Sequence, residues 1–384
     1  MTERITAIKN AKVVLENGII WDGVIIIDGD KIKSYGKSGE TEIPEGAEII
    51  DADGAYVGPG FVDIHVHGGG GYSTCRDTAL AGEYFLKHGT TSFLATPDYH
   101  MNLDTLLGAI RNIKAAYGKV PNLKGIYMEA PYTNPDKGSH SYDNPWRHGI
   151  IYEEYKQFVD EAGELARVWT VAPEREGIYE FVEYVKKVNP DAVIAVGHTT
   201  ALPHEIRALG KYRPTLQTHS MNASGNYGKN NGLREVGSDE YCFKDNDLYT
   251  ELISDSLGIH VNCEMQQLLL HLKGLHRVVL ITDSTVHNNP VPEKFEGVTD
   301  LNFDAKGGLA GSKLTMDVAA RNIMTHTNCG IAQAFIMAST NPAKAIGLYD
   351  EIGSIDCGKA ADLVFVDDVF CVKRVILGGK IQAI

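Results

Sequence analysis

Apolar positions along this chain fall into two regimes. Up to about residue 55 they form short β-type runs separated by turn residues. Ala11–Leu15, Val24–Ile27 and Lys31–Tyr35 are the clearest, and Asp28-Gly29-Asp30 predicts a hairpin turn. The segment from Gly353 has the same character, with Asp362–Val366, Val372–Leu377 and then Gly378-Gly379-Lys380. Between these ends, apolar runs alternate with stretches of helical periodicity. The runs are Phe61–His67, Thr91–Thr96, Lys124–Glu129, Val168–Glu174, Ala192–His198, Thr215–His219, Gly258–Asn262 and Val278–Asp283. Candidate helices are Thr78–His88, Leu103–Tyr117, Ile178–Val188, Leu202–Leu209 and Glu264–Leu272. Residues 284–318 read as a long loop after the last strand.

Eight strand–helix units over about 280 residues predict an α/β fold, a (β/α)8 barrel of the TIM type. An open doubly wound sheet is the alternative, because periodicity does not show closure. The two β-rich ends predict one small discontinuous β-sandwich. The expected division is residues 1–55 and 353–384 for the sandwich and 56–352 for the barrel.

The residues that end the runs carry the chemistry. His65 and His67 close the first run, and a period of two puts both imidazoles on one face, about 7 Å apart at the backbone. Gly68 to Gly71 then let the chain turn without crowding that face. The third run ends in Glu129, the fifth in His198, the sixth in His219 and the eighth in Asp283. In a barrel all of these lie at the C-terminal rim, where catalytic groups of this architecture sit. Four imidazoles and two carboxylates suit one or two borderline divalent metals, zinc or iron first. Such a metal polarises a carbonyl and acidifies water. Asp283 is placed to take a proton from that water and return it to a leaving amine; a helix N-cap or a plain metal ligand is its other use.

Composition narrows the partners. The formal charge is −14 with a pI near 5.4, which argues against a nucleic-acid or anionic-membrane surface. Cys75, Cys242, Cys263, Cys329, Cys357 and Cys371 form no Cys-x-x-Cys pair, as expected of a reduced, cytoplasmic protein. The start, Met-Thr-Glu-Arg, lacks the apolar core of a signal peptide, and no apolar stretch reaches membrane-span length. Gly68–Gly71 lacks the Gly-Lys-Ser/Thr of a phosphate-binding loop. His88, His100, His148, His204, His271, His276 and His326 read as structural, and His287 is assigned no role.

Several segments together resemble the amidohydrolase superfamily and, within it, the N-acetylglucosamine-6-phosphate deacetylases. They are Pro59–Gly68, Glu129-Ala130-Pro131-Tyr132-Thr133-Asn134-Pro135, Val196-Gly197-His198-Thr199, Thr218–Ala223, Asp255–Val261 and Thr282-Asp283. Leu309-Ala310-Gly311-Ser312, Leu314–Asp317, Asn341-Pro342-Ala343, Gly353-Ser354-Ile355 and Gly358–Val364 extend the likeness nearly end to end. The resemblance implies that Glu129, His198 and His219 hold a main metal. His65 and His67, with Glu129 as bridge, would hold a second, and Asp283 would be the acid/base. His140 matches a histidine that contacts the substrate amide, and Leu309 a residue near the acetyl group. Asn222 and Ala223 match a phosphate-cradling loop, with Arg234 and His260 as its charged partners. The implied substrate is an amino-sugar phosphate, the implied assembly a homodimer.

The chain also departs from the family pattern. Glu129-Ala130-Pro131 replaces Glu-Gly-Pro, Met221-Asn222-Ala223-Ser224 replaces Phe-Asn-Ala-Met, and Arg234-Glu235-Val236-Gly237 replaces Arg-Glu-Pro-Gly. These changes bear on the sugar and its phosphate rather than on the metal. The alternatives are therefore deacetylation of an N-acetyl-galactosamine 6-phosphate or of an unphosphorylated sugar. Hydrolysis of a cyclic amide is a further one, although the fourth run holds no lysine of the kind that bridges metals there. A non-catalytic metal- or sugar-binding paralogue stands last, because base and ligands are all present.

Overall fold

The computed structural model describes residues 5–139, 144–225, 229–230, 233–234, 236–287 and 289–383. Eight parallel strands form one continuous path: Phe61–Val66, Thr90–Ala95, Leu123–Met128, Ala166–Val171, Val193–Val196, Leu216–Gln217, Tyr249–Ile253 and Val278–Ile281. The first, second and eighth of these are buried along their whole length, as strands covered on both faces must be. Val62, Ile64, Leu94, Tyr127, Val168, Leu216, Ile253 and Val279 fill the interior.

Helices cover the outside. Ile178–Val188 shows why: Ile178, Phe181, Val182 and Val185 make one buried stripe at helical spacing. Glu180 in its first turn and Lys186 and Lys187 in its last complement the helix dipole.

The barrel is nearly closed. Among the described residues no ladder joins the eighth strand to the first; individual hydrogen bonds do so instead. The Asp283 amide donates to the His65 carbonyl at 3.0 Å, and the His67 amide to the Ser284 carbonyl at 2.9 Å. Buried Asp63 on the first strand accepts the Thr282 hydroxyl at 2.6 Å. The seam of the barrel thus runs beside His65, His67 and Asp283.

Both chain ends meet in a second eight-stranded sheet. Its order is Lys380–Ile381, Val372–Leu377, Leu363–Val366, Tyr56–Pro59, Ile5–Leu15, Gly18–Asp28 and Lys31–Lys37, with Glu48–Asp51 also beside Ile5–Leu15. Ile8, Val13, Ile25, Ile27, Ile355, Leu363, Phe365 and Ile376 pack as its core. Tyr56–Pro59, expected with the barrel, hydrogen bonds inside this sheet and joins its N-terminal and C-terminal strands.

Two further sequence expectations require correction. The seventh barrel strand is Tyr249–Ile253 rather than Gly258–Asn262. Glu251 interrupts the apolar character of the true strand, whereas Ile259 and Val261 imitate one. Residues 258–262 instead form a loop gathered by the Asp255 carboxylate, which accepts the amides of Leu257, Ile259 and His260 at 3.1, 2.9 and 2.8 Å. The span 284–318 is likewise not all loop. Leu301–Phe303 pairs with Leu309–Ser312, and a helix begins at Met316. The helices Tyr152–Ala162 and Ser238–Lys244 were not expected from the sequence. Among the described residues no helix is long and apolar enough to cross a membrane.

Candidate active site and metal centre

The strand ends deliver their polar residues to one point. Glu129 follows the third strand and is its centre. Glu129 Oε1 lies 2.8 Å from His198 Nε2, 3.0 Å from His219 Nε2 and 3.6 Å from His65 Nε2. Glu129 Oε2 lies 3.2 Å from His67 Nε2. Asp283 Oδ1 is 3.3 Å from His67 Nε2 and 3.9 Å from His65 Nε2. All six residues are buried. Two triads that can each hold a metal emerge, His65–His67–Glu129 and Glu129–His198–His219, and they share Glu129.

Local backbone aims these side chains. His198, His219 and Asp283 stand just past their strands with φ of +43°, +20° and +46°, conformations that L-residues seldom adopt and that cluster at functional sites. Two glycines make room. A Cβ on Gly138 would come within 2.6 Å of the His198 ring, and one on Gly311 within 2.7 Å of the Asp283 carbonyl; both residues have positive φ.

Three of the four imidazoles are hydrogen-bonded at their other nitrogen, and His67 has a carboxylate close to it instead. His65 Nδ1 faces Glu251 Oε2 at 3.0 Å, and His67 Nδ1 faces Asp98 Oδ1 at 3.3 Å. His198 Nδ1 faces the Lys137 carbonyl at 3.3 Å, and His219 Nδ1 the Asn222 carbonyl at 3.0 Å. An acceptor at Nδ1 fixes the proton there and leaves the Nε2 lone pair directed inward, as in metal-binding histidines. His198 Nε2 and His219 Nε2 are then two lone pairs 2.9 Å apart beside a carboxylate, which only a positive charge reconciles. His65 Nε2 and Glu129 Oε2 are buried without a hydrogen-bond partner, a costly state unless a ligand satisfies them. The donor set therefore fits one or two divalent cations.

Electrostatics agree. Burial opposes a charge on His65, but the Glu251 and Glu129 carboxylates outweigh it and lift the ring's pKa up to about 10. His67 is likewise raised, against burial, by Asp283, Asp98 and Glu129. Glu129 is held well below the ordinary carboxylate range, because His65, His198 and His219 outweigh its burial. Asp283 is also lowered, with His67 and His65 overcoming burial, which keeps it in the form a base requires. A proton and a metal cation answer the same attraction and compete for each Nε2.

A cavity of about 50 Å3 lies over this cluster, and Asn222, Ala223 and Leu309 line it. Met221 and Ala223 have φ of +61° and +55°, and Leu309 begins the strand that hydrogen bonds to the end of the eighth barrel strand through Ser312. His260 sits on the loop after the seventh strand, its ring nitrogens 3.0 Å from Asp255 Oδ2 and 3.1 Å from the Gly311 carbonyl. Both nitrogens are thus engaged within the chain. Arg234 lies in the short strand Leu233–Arg234, paired with Lys229–Asn230; its side chain is outside the described residues, as is all of His140.

The sequence reading missed several participants. Glu251 is fully buried and also accepts the His219 amide at 3.0 Å, so one carboxylate positions both halves of the cluster. Tyr127 stacks on His65 at 4.3 Å. Asp98, Tyr99, His100 and His287 line the cavity, whereas sequence alone reads His100 as structural and assigns His287 no role. A glutamate inside an apolar strand was the available signal for Glu251; Asp98 and Tyr99, just past the second strand, had position alone.

Comparison with known proteins fits this geometry. The model of the amidohydrolase family matches residues 56–382. The chain is 31% identical to the N-acetylglucosamine-6-phosphate deacetylase of Bacillus subtilis over 98% of this chain and 97% of that one. It is 28% identical to the N-acetylgalactosamine-6-phosphate deacetylase of Escherichia coli O157:H7, over 88% and 91%. The crystal structure of the N-acetylglucosamine-6-phosphate deacetylase of Thermotoga maritima superimposes with a TM-score of 0.81 at 27% identity, over 98% of this chain and 99% of that one. With its nearly closed barrel and its terminal sheet, this chain belongs to the amidohydrolase family and, within it, to the N-acetylglucosamine-6-phosphate deacetylases.

Proposed function

We propose that this protein removes the N-acetyl group of an amino-sugar 6-phosphate, converting N-acetylglucosamine 6-phosphate to glucosamine 6-phosphate and acetate. The observation that carries this reading is the pair of triads sharing Glu129, with the Asp283 carboxylate 3.3 Å from His67. His65, His67, Glu129, His198 and His219 hold one or two divalent ions, zinc or iron in our reading, with Asp283 as a further ligand. Such ions supply the Lewis acidity that polarises the amide carbonyl and acidifies water. Asp283 takes the proton from the attacking water and returns it to the leaving nitrogen, as a buried carboxylate on one rim can do in both steps. His140 contacts the amide, Leu309 packs by the acetyl group, and Asn222, Ala223 and Arg234 receive the phosphate, as the family resemblance implies; His260 joins them by exchanging its bond to the Gly311 carbonyl for one to the phosphate.

The barrel, up to residue 352, is the catalytic unit in this reading, and the N-terminal segment through Pro59 with the segment from Gly353 forms the accompanying sheet domain. We place the protein in the cytoplasm, in line with six cysteines that remain free. A homodimer is supported by exposed apolar side chains clustered on Cys263–Lys273 and the loop before it: Leu257, Ile259, Met265, Leu268 and Leu272.

The test is hydrolysis of N-acetyl-glucosamine and N-acetyl-galactosamine, each free and as the 6-phosphate, with metal analysis of the same sample. The glucosamine phosphate is expected to be the best substrate, and the relative named for the galactosamine phosphate makes that epimer the competitor. Two charge-assisted hydrogen bonds to phosphate predict a preference over the free sugar of roughly 10²–10⁴-fold. Arg234→Ala is expected to erase much of it while leaving turnover of the free sugar nearly unchanged. Equal rates on free and phosphorylated sugar would remove the phosphate from this reading and leave the amide hydrolysis standing.

A further inference from the structure

The cavity of about 50 Å3 over the cluster is a few times the roughly 10–15 Å3 that one water needs. It does not end there. Asp98, His100 and His287 line it and equally line a neighbouring cleft of about 640 Å3, a size typical of small-molecule sites. Met101, Gly108 and Ala109 give this cleft an apolar wall, and it opens toward solvent past exposed Arg76.

Its position on the rim gives its meaning. The cleft lies beyond the first, second and eighth strands, whereas Asn222 and Ala223 follow the sixth strand, across the barrel mouth. A substrate amide held with its carbonyl carbon at Asp283 extends its acyl chain and its nitrogen substituent in opposite directions. With the sugar phosphate toward Asn222 and Ala223 and the first acyl carbons by Leu309, as in the function proposed above, a longer acyl chain continues toward Asp98 and His287, which line the same cavity. We infer that the cleft is an acyl subsite, and that the enzyme hydrolyses amino-sugar phosphates carrying N-acyl chains of four carbons or more. The reaction is R–CO–NH–sugar plus water giving R–COO⁻ and sugar–NH3⁺. The C–N bond breaks, a C–O bond forms, and both water protons leave the oxygen, so that the nitrogen departs as an ammonium.

Gly108 offers the test. It lies inside the helix Leu103–Ala116, where glycine is ordinarily unfavourable, and a Cβ built there meets nothing within 4 Å. Gly108→Leu therefore keeps the helix and narrows the cleft. N-acetyl-, N-butyryl- and N-hexanoyl-glucosamine 6-phosphate would be compared on the metal-loaded wild type and on this variant. The wild type is expected to process the longer chains with kcat/KM within about tenfold of acetyl. Gly108→Leu is expected to lose at least about tenfold on N-hexanoyl while changing N-acetyl by no more than about twofold. A wild type that hydrolyses N-acetyl but rejects N-butyryl by more than about 100-fold would overturn the inference. Equal losses on all three substrates in Gly108→Leu would also do so, because the cleft would then hold the sugar. The subsite rests on the deacetylase reading, and a metal-loaded wild type that cleaves none of the three would refute that reading itself.

Discussion

At the scale of single residues, the site is a balance of buried charges in which each side chain has a distinct job. Glu129 belongs to both triads, whereas His65 belongs to one. Glu129→Gln is therefore expected to lose both metals and His65→Ala only one, as metal analysis of the purified variants would read. Asp283→Asn, outside both triads and still carrying an amide oxygen, is expected to keep its metal and to lose at least about 10²–10⁴-fold in kcat, the usual value of general acid–base catalysis; near-normal turnover would assign the proton to another group. Glu251 touches no reacting atom in this account and acts by positioning His65 and His219. Glu251→Gln is expected to weaken metal affinity about 10–100-fold, as losses of outer partners do. Titration of the apo-protein with metal separates this from a purely structural defect, which would lower the melting temperature and leave affinity intact. The ligands themselves were legible in the sequence because each ends an apolar run. Glu251 and Asp98 were not, since a buried carboxylate is recognised as a partner only once the ring it faces is known.

At the scale of elements, strand ends and the loops beyond them do the positioning. The sequence showed most of the barrel strands because parallel strands buried on both faces read as unbroken apolar runs. It failed at the seventh, where Glu251 hides the strand and the apolar loop 258–262 mimics one. That loop is held by Asp255, whose carboxyl pKa is lowered to about 2: burial opposes its charge, but the hydrogen bonds from His260 and the backbone amides prevail. A depressed carboxylate contributes stability above its unfolded pKa of about 3.9. That contribution is lost as pH falls through about 2. Asp255→Asn is expected to be less stable than wild type at pH 7 in denaturant titrations, with the gap closing as the pH approaches 2; a gap constant with pH would contradict this account. The seam between first and eighth strands depends on Thr282 and Asp63. Thr282→Val leaves a buried carboxylate oxygen short of a donor and is expected to cost about 1–3 kcal/mol.

At the scale of the whole molecule, an acidic chain with net charge −14 brings four imidazoles and a bridging carboxylate to one end of a barrel. The family pattern made the barrel and the terminal sheet legible, although Tyr56–Pro59 shows that the sheet reaches past residue 55. The central claim is that the cluster around Glu129 binds divalent metal and that this metal is needed to cleave the amide of an amino-sugar phosphate. The most direct measurement follows metal content and hydrolysis of N-acetylglucosamine 6-phosphate in one sample, before chelation, after it and after zinc or ferrous iron is restored. The account predicts one to two ions per chain at the start, activity that falls with their removal, and recovery when either ion returns. Full activity in a sample stripped of metal would contradict it.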